Sequence, residues 1–217
     1  MSRTLILDLD GTLVDSVPDL AAALNRLMAA RALPPFGIEQ VTAMVGDGAR
    51  ALVERAFAAH GLDPDAPALA EFLADYAANA ARETRPYPGV ETTLQTLAAR
   101  GWRLAICTNK PEAPARTLLA ALGLDGFFTA VGGGDSFPVR KPNPAHLLAT
   151  LHAAGGTPSR TVMAGDHHND IAAATGAGIP SIFAAWGYGT PAMSSGAAVT
   201  AYRFPELARI VERLVAA

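Results

Sequence analysis

The chain has 217 residues, half of them apolar and 17% charged, which excludes a disordered polymer and allows one domain or a core with a small insert. A formal net charge of −3 gives no basic footprint for nucleic acid, and no apolar run reaches the roughly 18 residues of a membrane span. Cys107 is the only cysteine, so an internal disulfide is excluded and a cytoplasmic location is the default expectation. With an acidic cluster starting at residue 8, no cleavable leader is expected.

Leu5 to Leu7 are a short all-apolar run that suits a strand buried on both faces. The run ends at Asp8. Asp10 follows two residues on, so on a continuing strand the two carboxylates share a face. Gly11 lets the chain turn sharply. Alone, this reads either as an acidic turn or as a ligand site at a strand end. Val17, Leu20, Ala21, Leu24, Leu27 and Met28 then take the spacing of an amphipathic helix, capped by Ser16 or Asp15, with Pro18 in its first turn. Leu33-Pro34-Pro35 breaks it. Ile38 to Met44 reads as a short helix, Val45 to Gly48 as a turn, and Ala51 to Ala59 as a helix that Gly61 stops. Leu69, Phe72, Leu73 and Tyr76 mark another. Nothing from 16 to 85 reads as strand.

After Arg85-Pro86-Tyr87-Pro88-Gly89 the texture changes. Helices are expected over 90–100, 111–121, 144–153, 169–175 and 205–215. Strands are expected over 102–107, 127–131, 161–164 and 179–185. Alternation of this kind means right-handed crossovers and a parallel α/β sheet. Asp8 and Asp10, Thr108, and Asp166 each follow a strand, so all lie on one sheet edge. Asp170 follows a turn of helix later. Two like charges ~4 Å apart repel by ~4 kcal/mol at an effective dielectric near 20, so such a cluster needs a cation or raised pKa values. Oxygen ligands without cysteine favour a hard ion, Mg²⁺.

Only two of the 17 basic residues are lysines, Lys110 and Lys141. A chain that uses arginine elsewhere keeps lysine where a compact ammonium is needed, or does so by chance. Lys110 lies at the site edge or, more simply, on the surface. Cys107 reads as inert packing on a buried strand.

The uninterrupted run Asp8-Leu9-Asp10-Gly11-Thr12-Leu13-Val14-Asp15-Ser16 resembles the first motif of the haloacid dehalogenase superfamily of phosphatases. Thr108-Asn109, Lys141 and Gly165-Asp166-x-x-x-Asp170 match its other three motifs in order. The resemblance implies a Rossmann-like core over residues 1–15 and 86–217, with an inserted all-helical C1 cap over 16–85. It implies Asp8 as nucleophile, forming an aspartyl-phosphate, and Asp10 as general acid and then base. It implies Mg²⁺ on the carboxylates of Asp8 and Asp166 and the backbone carbonyl of Asp10. Thr108, Asn109 and Lys141 would hold phosphate. Asp170 would orient metal-bound waters or cap its helix. The cap turn Gly46, Asp47, Gly48 and Arg50 resembles the family's substrate-specificity loop. Arg50 then either pairs with an anionic substrate group or is a surface residue in a helix's first turn.

His167-His168 departs from the family, which places a small residue after the fourth-motif Asp. The pair suggests a transition-metal site, or rings that line the site mouth or bond a carboxylate. Two runs, Val45 to Ala56 and Arg140 to Leu148, look most like the phosphoglycolate phosphatase subgroup. The expected partner is a small phosphate ester, with no nucleic acid and no membrane, for a monomer or homodimer. A β-phosphoglucomutase or another sugar-phosphate or nucleotide phosphatase is the neighbouring alternative. A dehalogenase would not keep Asp10, and a phosphonatase would need a cap lysine that 16–85 lacks. A phospho-acceptor signalling domain gathers similar residues, but in a shorter chain without a helical insert.

Overall fold

The structure is a computed structural model and describes residues 3–216. Strand β1, Arg3–Leu7, lies at the centre of a six-stranded parallel sheet. Its partners are β4, Trp102–Cys107, and β6, Thr161–Gly165. The sheet continues to β5, Phe128–Gly132, on one side, and to β7, Ser181–Ala184, and β8, Val199–Ala201, on the other.

Burial follows the two-residue period of a strand. Leu5 and Leu7 join an apolar cluster on one face with Leu104, Ile106, Val162 and Ala164. Ile6 joins the opposite face with Ala105, Cys107 and Met163. A central strand covered on both faces needs an unbroken apolar run, and Leu5-Ile6-Leu7 supplies it.

The chain leaves the core through β2, Val14–Asp15, and returns through β3, Arg85–Pro86, which pair antiparallel. This two-residue ladder occupies the linkers and includes Arg85, at the end of the segment read as free of strand. Between the two lie α1, Val17–Ala29; α2, Ile38–Thr42; α3, Ala49–Ala59; and α4, Ala68–Asn79. They build an apolar cluster of their own, with Leu24, Met28, Val41, Ala56 and Phe72 at its centre. The core helices are α5, Val90–Ala99; α6, Glu112–Ala121; α7, Pro144–Ala153; α8, His168–Gly176; and α9, Leu207–Ala216.

One strand of the six-stranded sheet escapes the sequence reading, as do both strands of the two-residue ladder. β8 is three residues long at the sheet edge, only Ala201 in it is buried, and no apolar run announces it. Among the described residues no helix is long and apolar enough to cross a membrane.

Candidate active site

Leu7 is in register with Ile106 of β4 and Ala164 of β6, so three neighbouring strands end together. Asp8, Thr108 and Asp166 follow those ends and meet on one edge, where the chain goes from β1 to β4 on one side and from β6 to β7 on the other. Asp170 comes from the first turn of α8 and Lys141 from the loop before α7.

The Asp8 carboxylate is held on one side. Its Oδ1 accepts from the Leu9 backbone N–H at 2.8 Å and lies 2.9 Å from Lys141 Nζ. Its Oδ2 accepts no hydrogen bond among the described residues, and Asp8 lines the cleft between the sheet edge and the helical segment. Lys141 Nζ also donates to Asp170 Oδ1 at 2.6 Å. Burial works against the charge of Lys141, but Asp170 and Asp8 outweigh it and raise its pKa.

Asp166 is held from two sides. Thr12 Oγ1 donates to Oδ1 and the Tyr188 backbone N–H donates to Oδ2, each at 2.8 Å. Gly11 has φ +84°, and a methyl there would strike Asp166 and Tyr188, so glycine is needed for both reasons. Asp8, Asp166 and Asp170 each offer an oxygen within 4.8 Å of the others. Burial pushes Asp166 up to about 8, with Asp8 and Asp170 adding to it. Burial also pushes Asp8 up to about 6, although Lys141 opposes the rise. Three buried carboxylates at this spacing, all oxygen donors, fit a hard divalent cation such as Mg²⁺.

Asp10 stands apart from that cluster. Its Oδ1 accepts from Ser16 Oγ at 2.5 Å and Lys110 Nζ at 3.1 Å. Ser16 is at the N-cap position of α1, but its side chain makes no capping bond; the hydroxyl serves Asp10 instead. Lys110 is buried, against the expectation of a surface position. It also donates to Tyr76 Oη at 2.9 Å, from α4. Both lysines of the chain are therefore in the site.

Thr108 is buried, and its Oγ1 accepts from the Lys110 backbone N–H at 3.1 Å. Asn109 joins three loops: its Nδ2 donates to the carbonyls of Gly46 and Lys141, each at 3.1 Å. The turn 45–48 rests on the core. Asn169 Nδ2 donates to Asp47 Oδ1 at 2.7 Å, and a methyl on Gly46 would sit 2.7 Å from the His167 ring. Gly48 lines the cleft. Arg50 does not. It is exposed, and it borders a separate shallow groove with Glu54 and Asp65.

His167 caps α8: its Nδ1 accepts from the Asn169 backbone N–H at 3.3 Å, while Asp170 Oδ2 accepts from the His167 N–H at 3.1 Å. Burial and the neighbouring His168 push His167 down to about 4, so it is neutral. His168 packs against it with the ring planes tilted by 42° and is exposed. Neither belongs to the carboxylate group. Burial pushes the Cys107 thiol up to about 12, which fits packing.

Thr12, Ser16, Tyr76, Asn169 and Tyr188 shape the site without being singled out for it by sequence. Thr12 and Ser16 stand inside the first motif, where the spacing already placed them. Tyr76 and Tyr188 come from distant segments and carry no local signal.

The family model for haloacid dehalogenase-like hydrolases matches residues 3–178. The chain is 47% identical over 206 residues to a phosphoglycolate phosphatase of Rhodospirillum rubrum, covering 91% of this chain and 86% of the relative. It is 47% identical over 189 residues to that of Caulobacter vibrioides, covering 85% and 80%. A crystal structure described as a predicted phosphoglycolate phosphatase from Haemophilus somnus superposes with a TM-score of 0.88 at 32% identity, covering 96% of this chain and 97% of that one. The chain belongs to the haloacid dehalogenase-like hydrolases, and within them it is phosphoglycolate phosphatase-like.

Proposed function

We propose that the protein is a Mg²⁺-dependent phosphatase that hydrolyses a small phosphate monoester, 2-phosphoglycolate, through an aspartyl-phosphate. The observation that carries this is the one-sided restraint of Asp8. Leu9 N–H and Lys141 fix Oδ1, Oδ2 accepts no hydrogen bond among the described residues, and Asp8 lines the cleft. The names of the similar phosphatases support the choice of ester.

Asp8 Oδ2 attacks phosphorus, and the bond from phosphorus to the ester oxygen breaks. The departing alkoxide takes a proton from the Asp10 carboxyl. Asp10, now a carboxylate, removes a proton from water, whose oxygen attacks the same phosphorus. The Asp8–phosphorus bond breaks and inorganic phosphate leaves. Lys141 stays beside Asp8 and offsets the negative charge that gathers there. Thr108 Oγ1 and the Asn109 backbone amide hold phosphate oxygens. The carboxylates of Asp8 and Asp166 and the carbonyl of Asp10 would hold Mg²⁺, with Asp170 orienting its waters. The ion supplies charge neutralisation for the phosphoryl group.

In this reading residues 1–15 and 86–217 form the catalytic core, and 16–85 form a helical cap. The separate apolar cluster of α1–α4 and the paired linkers β2 and β3 support that division. The lone, buried Cys107 goes with a reducing, cytoplasmic setting. Phosphate release from 2-phosphoglycolate, with metal removed and Mg²⁺ then restored, is the test. Release that needs Mg²⁺ and is faster than from hexose phosphates is expected. No release from any ester of a panel would overturn the reading.

A further inference from the structure

The cleft over Asp8 and Asp10 has a charge pattern that points to its substrate. Its walls are mainly apolar, with Leu20, Val45, Leu52 and Phe72 from the helical segment. Among the described residues, Lys110 is the one cation that lines it. Lys141 sits behind Asp8, and Arg50 borders a different groove. Lys110 is 7% exposed, which marks a placed charge, since lysine is seldom buried without a partner.

The contacts of Lys110 can be redistributed. An ammonium has three N–H donors. Lys110 Nζ reaches Asp10 Oδ1 at 3.1 Å, Asp10 Oδ2 at 3.2 Å and Tyr76 Oη at 2.9 Å. These three contacts match the three N–H groups, but two of them go to one carboxylate, so one can pass to a ligand in the cleft while Asp10 keeps the other. Tyr76 accepts from Lys110 and keeps its own O–H proton to donate. Its ring also lies under the ammonium, 4.3 Å from Nζ to the centroid. Two donors from two segments, one on the core and one on α4, thus converge beside Asp10.

Asp10 is the group assigned to the ester oxygen, and this step of the inference rests on that reading. In a phosphorylated 2-hydroxy acid the carboxylate carbon is two bonds beyond the ester oxygen. A donor in contact with Asp10 is therefore within reach of that carboxylate. We infer that Lys110, with Tyr76, recognises a carboxylate next to the phosphate ester and so sets the preference for phosphorylated 2-hydroxy acids. In a cleft walled by apolar side chains such a charge-assisted pair is strong, and an ester lacking the carboxylate does not form it.

The test compares 2-phosphoglycolate with 2-hydroxyethyl phosphate, an analogue with an uncharged hydroxymethyl group in place of the carboxylate. The reading is the ratio of their kcat/KM values in one preparation, which does not depend on how much of it is folded. Wild type is expected to favour 2-phosphoglycolate. Lys110→Met should shrink that ratio by roughly 10- to 150-fold, the loss of one charge-assisted contact. Lys110→Arg should restore part of it. If Lys110→Met yields no folded protein, Tyr76→Phe carries the test, with a smaller fall in the ratio. A ratio that is unchanged in Lys110→Met, or in Tyr76→Phe where only that variant folds, overturns the inference and confines Lys110 to positioning Asp10. Equal wild-type use of the two esters overturns it while the phosphatase chemistry stands. Absence of any phosphate release in wild type removes that chemistry and the inference together.

Discussion

Tyr188 ties the carboxylate site to the chain's exit from the core: its backbone N–H donates to Asp166 Oδ2 at 2.8 Å. The phenol of the same residue accepts from the backbone N–H groups of Ser16 and Val17 at 2.7 and 3.2 Å and donates to Asp15 Oδ1 at 2.9 Å. One residue therefore fixes both an acid of the site and the start of α1. The backbone bond survives any side-chain change, so the two roles separate experimentally. Tyr188→Phe should lower the Tm by roughly 2–8 °C, from ~1–2 kcal/mol of lost hydrogen bonding. Mg²⁺ affinity by calorimetry should stay within about twofold of wild type. A large loss of Mg²⁺ binding would show that the phenol, and not the amide, places Asp166.

Asp8→Asn removes the attacking oxygen while keeping the shape. Turnover should fall by more than about 10³-fold with an unchanged circular dichroism spectrum. Lys141 loses one of its two carboxylate partners but keeps Asp170 at 2.6 Å, so the buried ammonium is not left alone. Activity within tenfold of wild type would remove Asp8 as nucleophile.

The carboxylate cluster makes a signed prediction for the metal-free protein. Asp166 sits near 8 and Asp8 near 6 in the folded state, against an ordinary 3.8. The folded state then holds protons that the unfolded state has released. Stability from this source is present below pH 3.8 and is lost as the pH rises through about 8. His146 and His167 act oppositely: burial lowers both to about 4 from an ordinary 6.5, so their contribution is lost as the pH falls below 6.5. The window above pH 6.5 isolates the carboxylates. There the metal-free Tm should fall as the pH is raised to about 8, and saturating Mg²⁺ should flatten the slope. A metal-free Tm that does not change across that window would contradict the proposed strain among the acids.

Much of this site is legible in the chain itself. Leu5-Ile6-Leu7 followed by Asp8 states a buried central strand and an acidic end together. The rarity of lysine marks Lys110 and Lys141, and both are buried beside carboxylates. What sequence cannot carry is the side-chain direction. Ser16 looks like a helix cap, and its position is that of one, yet its hydroxyl turns to Asp10. Lys110 follows Thr108-Asn109 in a polar turn that reads as exposed. Only the packing of α4 over that turn, with Tyr76 on the ammonium, buries it. β8 is missed because three residues at a sheet edge have no periodicity to read.

Arg50 shows the same limit from the other side. Its place beside Gly46-Asp47-Gly48 suggests a substrate contact, but it is exposed and outside the cleft. Arg50→Ala should therefore change kcat/KM for 2-phosphoglycolate by less than about threefold, the range of an exposed charge. A loss beyond tenfold, absent with an ester that lacks the carboxylate, would return Arg50 to the substrate's carboxylate and displace Lys110 from that role.

Asp19 is the buried acid that the chemistry does not use. It stands in the first turn of α1, 4% exposed, among residues the sequence pattern presents only as the polar side of a helix. Its carboxylate reaches 64 and 65 positions along the chain to the returning segment. It accepts from the Glu83 and Thr84 backbone N–H groups at 3.0 Å each and from Thr84 Oγ1 at 2.7 Å. The outgoing and returning ends of the helical segment are thus clamped just beyond the β2–β3 ladder. Asp19→Ala would leave the Thr84 amide and hydroxyl buried without an acceptor, at a cost of ~1–3 kcal/mol for each orphaned group. The expected result is a Tm lower by roughly 5–15 °C. Asp19→Asn keeps an acceptor oxygen and should recover part of the loss. Limited proteolysis should cut first within residues 80–85 in the alanine variant, since that stretch loses its anchor. A Tm within 2 °C of wild type for Asp19→Ala would show that the two-residue ladder alone holds the segment in place.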